Sequence, residues 1–182
     1  SVFSVTYPNP NSDPLRFYSN FFFNFIHNSY FKAAGMEIHN PDSVAGYPAY
    51  YQEPNFDRIW FSSNTLIGRY KLIESLIEGK NAITGVNIYA KLDTVQFVKN
   101  KIDNPTDPNF LVSEIADLLY PESIDSDRIN YFKSFLVDEG FPDYYWSGTW
   151  AQYLNDGDDT TVRTRLNALI IAMVNAAEFQ LM

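Results

Sequence analysis

A mainly α domain, an irregular multi-helix bundle with one long aromatic, proline-containing loop, is what this sequence predicts. Three observations carry that expectation. Apolar residues recur at helical spacing in six separate segments. Two segments open on Asp-Pro, a carboxylate cap followed by proline at the first helical position. Gly35, Gly79 and Gly140 stand where segments should stop. The domain is expected over 13–182, after an irregular arm at 1–12.

In the arm, Tyr7-Pro8-Asn9-Pro10 cannot propagate a helix. Asp13-Pro14 then starts a first helix reaching Ala34, with Leu15, Tyr18, Phe22, Phe25 and Ile26 in step. Phe17, Phe21, Phe23 and Phe31 put rings on its other sides, the mark of a buried helix. Residues 37–56 form a long connection holding Pro41, Pro48 and Pro54. A helix capped by Ser63 or Asn64 follows, with Leu66, Tyr70, Ile73 and Ile77 on one face and Gly79 at its end. Residues 80–91 fit a short strand or a loop.

From Asp93 the helical pattern resumes through Val95, Val98 and Ile102 and breaks at Asn104-Pro105. Asp107-Pro108 opens the next helix, with a core stripe of Leu111, Ile115 and Leu118 closed by Tyr120-Pro121. Ile124 and Ile129 sit at hydrophobic-staple spacing around an Asp125 cap, Phe132, Phe135 and Leu136 point inward, and Gly140 is the expected stop. The run from Phe141 to Leu154 reads as an aromatic loop with a short turn at Thr149–Gln152. After Asn155 to Asp159, a last helix is expected over about 160–179, with Val162, Leu166, Leu169, Met173 and Ala177 on its inner face.

The totals bound the function. At 182 residues and 21.0 kDa the chain can bury a real core. Aromatics at 17% must be buried or stacked against something. A net charge of -9 opposes a phosphate backbone, so nucleic acid is not an expected partner. Without cysteine there is no disulfide and no thiolate nucleophile. The most apolar stretch, Phe21 to Ile26, is too short and too interrupted by Asn and His to span a bilayer.

One stretch stands apart. Asn40-Pro41-Asp42-Ser43-Val44-Ala45-Gly46-Tyr47-Pro48, then Trp60, Thr65-Leu66 and Arg69, resembles the C-terminal signature of the bacterial "domain of unknown function 1800" family. There a Pro-Pro-x-Val-x-Gly-Trp-Pro run precedes a Trp, a Thr-Leu and an Arg. Asp107-Pro108 with Leu111-Val112, Phe141-Pro142-Asp143 to Trp146, and Glu178-Phe179-Gln180-Leu181 resemble its Bacteroides-like members. Asn40 replaces the first proline and Tyr47 the signature Trp, which exchanges an indole N–H for a hydroxyl. The resemblance implies export (periplasmic, outer-membrane-associated or secreted), and it implies the C-terminal part of a longer protein. It brings no catalytic residues.

Two aromatic constellations are candidates for ligand binding. Tyr47, Tyr50, Tyr51 and Trp60 would present flat rings to a sugar or peptide, with Arg69 and Asp42 as polar partners. The same residue types also suit a packed clasp, in which Gly46 and Pro48 shape the turn and Arg69 ties it down. Tyr145, Trp146 and Trp150, with Tyr144 and Tyr153, would form a stacking platform for carbohydrate, although burial accounts for most such rings. Asp156, Asp158 and Asp159 lack the distant Glu of a calcium loop and read as a solvated turn. His27 and His39 have no partner at metal spacing, and Glu53 with Asp57 would serve hydrolysis only at distances a sequence does not set.

The expectation is therefore a non-catalytic cell-envelope binding or interaction module with no cofactor and no metal. Its partners would be the rest of its own protein, a companion exported protein or a polysaccharide. A hydrolase of an envelope or dietary polymer, with catalytic groups partly outside this chain, is the alternative; a structural half-domain without a ligand is the third reading.

Overall fold

Capping chemistry sets the helix boundaries. In the computed structural model, which describes residues 3–6, 26–28, 30–35, 62–79, 81–83 and 86–180, the chain is mainly helical. Strand β1 covers Phe3–Thr6, inside the segment read as an irregular arm. Residues 26–28 and 30–31 are π-helical: the Lys32 N–H donates to the His27 carbonyl at 3.0 Å. Gly35 ends this turn with φ +67°, as its position predicts.

Helix α1 (Ser63–Glu78) has its cap one residue before the expected Ser63 or Asn64. The cap is Ser62, because Thr65 completes a reciprocal box: Thr65 N–H donates to Ser62 Oγ at 3.2 Å, and Ser62 N–H donates to Thr65 Oγ1 at 2.9 Å. Gly79 closes the helix at φ +72°. Strands β2 (Asn81–Ile83) and β3 (Val86–Leu92) resolve the segment that fitted either strand or loop. They pair antiparallel, with Asn81 opposite Tyr89 and Ile83 opposite Val86, in a sheet of order β1-β3-β2.

Helix α2 (Thr94–Lys101) is capped by Asp93, and α3 (Pro108–Leu119) by Asp107, whose Oδ1 accepts the Asn109 and Phe110 amides. Asp125 caps α4 (Ser126–Lys133) through the Arg128 amide. That helix stops at Lys133, well before Gly140, which instead sits at φ +84° in the following turn. The expected aromatic loop is corrected outright: Tyr144–Asp156 is helix α5, closed by Gly157 at φ +79°. Thr149 caps nothing; its hydroxyl donates to the Tyr145 carbonyl one turn back. Helix α6 (Thr160–Asn175) is shorter than predicted, and after Ala176 the chain restarts as α7 (Ala177–Gln180).

By internal contacts the chain divides into two compact units, Val5–Lys91 and Ser1–Ser4 with Leu92–Met182. In the first, a Cβ on Gly68 would lie 2.6 Å from the Ala33 carbonyl oxygen, so α1 meets the 32–35 turn at backbone distance. In the second, α6 is the central element and packs on α2, α3, α4, α5 and α7. The core holds Val95, Val98, Leu111, Ile115, Phe132, Leu136, Leu166, Leu169 and Met173 as the spacing predicts. Two expectations fail: Leu118 is exposed, the inner face of α3 running through Val112 and Ala116 instead, and Ala177 is exposed because α6 ends at Asn175 and the chain restarts in a new helix.

Polar ties fix these helices. The Tyr120 hydroxyl donates to the Met173 carbonyl at 2.8 Å, and burial raises its pKa well above the ordinary tyrosine range. Thr94 Oγ1 donates to Asn167 Oδ1 at 2.7 Å. Arg163 bridges Asp93, at 2.9 Å, and Asp159. Arg128 forks onto Glu178 at 2.6 and 2.9 Å, joining α4 to α7.

Candidate functional site

The helical phase of α5 sorts its rings into two sets. Trp146, Trp150 and Tyr153 recur every three or four residues and face α6 and the core. Trp146 is 1% exposed and Trp150 2%, and the Trp146 indole N–H donates to the Pro105 carbonyl at 2.8 Å. The stacking platform expected of these tryptophans is thus corrected, since neither offers a ring face to a ligand. They are structural residues, whose truncation to alanine would cost roughly 3–5 kcal/mol each.

The residues out of phase with that stripe turn outward. Tyr144 is 67% exposed and Tyr145 49%, and their rings stack at 4.9 Å with an interplanar angle of 20°. Phe141, 52% exposed, meets Tyr145 edge-on at 5.0 Å. These three rings form a ledge at the entry to α5.

Two clefts flank it. The larger, about 480 Å³, runs between the end of α4 and the loop leading to α5, with Tyr131 and Phe141 among its walls, Val137 between them and Asp138, Glu139 and Asp143 along its rim. The smaller, about 270 Å³, lies on the other side of Phe141, between Tyr145, Thr149, Thr161 and Arg165. Ion pairs hold the rims. Asp143 accepts from the Asn109 amide at 2.8 Å and pairs with Lys133 at 3.2 Å, which explains why this N-cap residue makes no side-chain cap of its own. Arg165 donates to the Leu136 carbonyl at 2.9 Å and to Asp138 at 3.0 Å.

These contacts lower both carboxyl pKa values: the Asn109 and Lys133 hydrogen bonds for Asp143, the Arg165 hydrogen bond and charge for Asp138. A general acid needs the opposite shift.

Comparison with protein-family models, curated proteins and solved structures gives no match for this chain.

Of the sequence-derived site residues, Tyr145 lies on the ledge, whereas Trp146 and Trp150 lie beneath it. Arg69 is on α1, half-buried, in the other unit. Tyr47, Tyr50, Tyr51, Trp60 and Asp42 lie outside the described residues, as do His39, Glu53 and Asp57. His27 is half-buried beside Asn28, its Nδ1 at 3.2 Å from Asn28 Oδ1.

The acidic run is a local turn: Asp156 accepts the Asp158 amide, Asp158 the Thr160 amide, and Asp159 pairs with Arg163. Among the described residues no three His, Cys, Asp or Glu side chains gather as a metal site. Nor, among them, is any helix long and apolar enough to cross a membrane.

Sequence reasoning did not single out Phe141 or Tyr131. The available signal was phase: Tyr131 sits one residue off the Phe132–Leu136 inner stripe, so a ring there must face outward.

Proposed function

We propose that this chain is a non-catalytic binding module of an exported bacterial protein, and that the face carrying Phe141, Tyr144 and Tyr145 contacts a cell-envelope partner or polymer. One observation carries the reading. Tyr131, Phe141 and Tyr145 stay about half exposed around one pair of clefts, with the exposed Tyr144 stacked on Tyr145, while the neighbouring tryptophans are fully packed. Contiguous exposed apolar surface rimmed by polar groups marks interaction sites. Export and a cell-envelope setting rest on the resemblance carried by Asn40 to Pro48, Trp60, Thr65-Leu66 and Arg69.

Against the hydrolase alternative, neither rim aspartate suits a general acid, because both are engaged in ion pairs that lower their pKa. Co-sedimentation with insoluble envelope material tests the proposal. Wild-type protein is expected to pellet with the material, and a Tyr144→Ala/Tyr145→Ala variant of unchanged fold is expected to stay in solution. Equal pelleting of both would remove the ledge from the binding surface, and release of soluble fragments from the material would favour the hydrolase.

A further inference from the structure

The larger cleft narrows the chemistry of what can lie on the ledge. Its apolar lining, Tyr131, Val137 and Phe141, is interleaved with polar groups rather than gathered into a deep apolar pocket, so an aliphatic peptide anchor has no seat. The polar lining mixes donors and acceptors. The Asn130 amide and Lys133 ammonium donate, while the carboxylates of Asp138, Glu139 and Asp143 accept.

A ligand that suits such a surface has flat apolar faces for the rings and hydroxyls that both donate and accept. A saccharide has both. The charges then discriminate among saccharides: of the three carboxylates lining this cleft, Asp143 pairs with Lys133 and Asp138 with Arg165, which leaves the charge of Glu139 on a chain of net charge -9. A uronate or sulfate entering it would meet the like charge of Glu139, which disfavours it relative to a neutral sugar.

Resting on the binding-module reading above, we infer that the cleft takes an uncharged saccharide that stacks on Phe141, the ring the cleft shares with the ledge, and runs from there onto Tyr145 and Tyr144. Glu139 rejects acidic saccharides there. Glu139 is the discriminating residue because Asp138 and Asp143 are already neutralised by Arg165 and Lys133.

An array of neutral and acidic oligosaccharides, probed with the full chain and followed by calorimetry on the strongest neutral hit, tests this. The inference expects signal on neutral members and none on uronate-bearing or sulfated ones. Phe141→Ala/Tyr144→Ala should weaken the neutral hit by at least about tenfold with the near-ultraviolet circular dichroism of the buried tryptophans unchanged. Glu139→Lys, at an exposed turn position, should gain measurable binding to the acidic members.

Binding confined to acidic saccharides, neutral binding untouched by the ring substitutions, or no neutral binding at all overturns the inference. A lysine-rich peptide serves as a separate arm: ring-dependent binding of that peptide without any saccharide would sink the saccharide but keep the binding module. Absence of binding in every arm, with envelope co-sedimentation also lost, would remove both.

Discussion

Two glycines inside helices make opposite demands on their neighbours. Gly68, in α1, is buried with the Ala33 carbonyl where a side chain would be, 2.6 Å from an added Cβ. A backbone obstacle cannot rotate away, so Gly68→Ala is expected to destabilise the protein by about 1–3 kcal/mol despite alanine's better helix propensity. Gly148, in α5, has nothing within 4 Å of the same position. Gly148→Ala should stabilise by about 0.5–1 kcal/mol, since it removes only the entropic cost of glycine in a helix. Urea denaturation of the two variants reads both signs, and a shared sign would contradict the packing at Gly68.

The caps at Asp107 and Asp125 were legible from the sequence because a carboxylate before a helix bonds locally. Gly68 was not, because a close approach between distant segments leaves no local pattern.

At the scale of elements, α5 shows where local reading fails. Pro142, Ser147, Gly148 and a dense run of rings look like a loop, yet Trp146, Trp150 and Tyr153 keep helical phase and bury against α6. Tertiary burial overrides the weak propensities, and the exposed ledge then follows from the phase it imposes. The same helix decides which rings can bind, so the error in the element and the error in the site are one.

The clasp between α4 and α7 yields a pH prediction. Arg128 hydrogen-bonds Glu178 and lowers its pKa below the ordinary 4.5, against an opposing contribution from burial. A carboxyl depressed on folding contributes stability that is fully present above pH 4.5 and is lost as pH falls through the folded value. Both side chains are about a third exposed, so the contribution is modest. Thermal unfolding between pH 7 and 3 should show a shallower acid-side decline for Glu178→Gln than for wild type. Parallel declines would mean that the pair contributes nothing on folding.

At the scale of the molecule, the main core cluster among the described residues falls in one unit: every member lies between Val95 and Met173. A fragment of residues 92–182 is therefore expected to unfold cooperatively and to keep the near-ultraviolet signal of Trp146 and Trp150. Loss of that signal would show that the core depends on the preceding residues.

The helical class, the α6 stripe through Val162, Leu166, Leu169 and Met173 and the break at Tyr120 could be read in advance, since each is a local periodicity or stop. The clefts could not, because they arise where α4, α5 and their connection converge, and neither could the two-unit division, which rests on contacts between residues distant in sequence.

The central claim is that this convergence is a binding surface. Its most direct test is a titration of isotopically labelled protein with solubilised envelope polymer, followed by amide and tyrosine-ring chemical shifts. The account predicts saturable shifts confined to Tyr131, residues 134–145 and their immediate neighbours. Saturable shifts elsewhere, with Phe141, Tyr144 and Tyr145 unmoved, would contradict it.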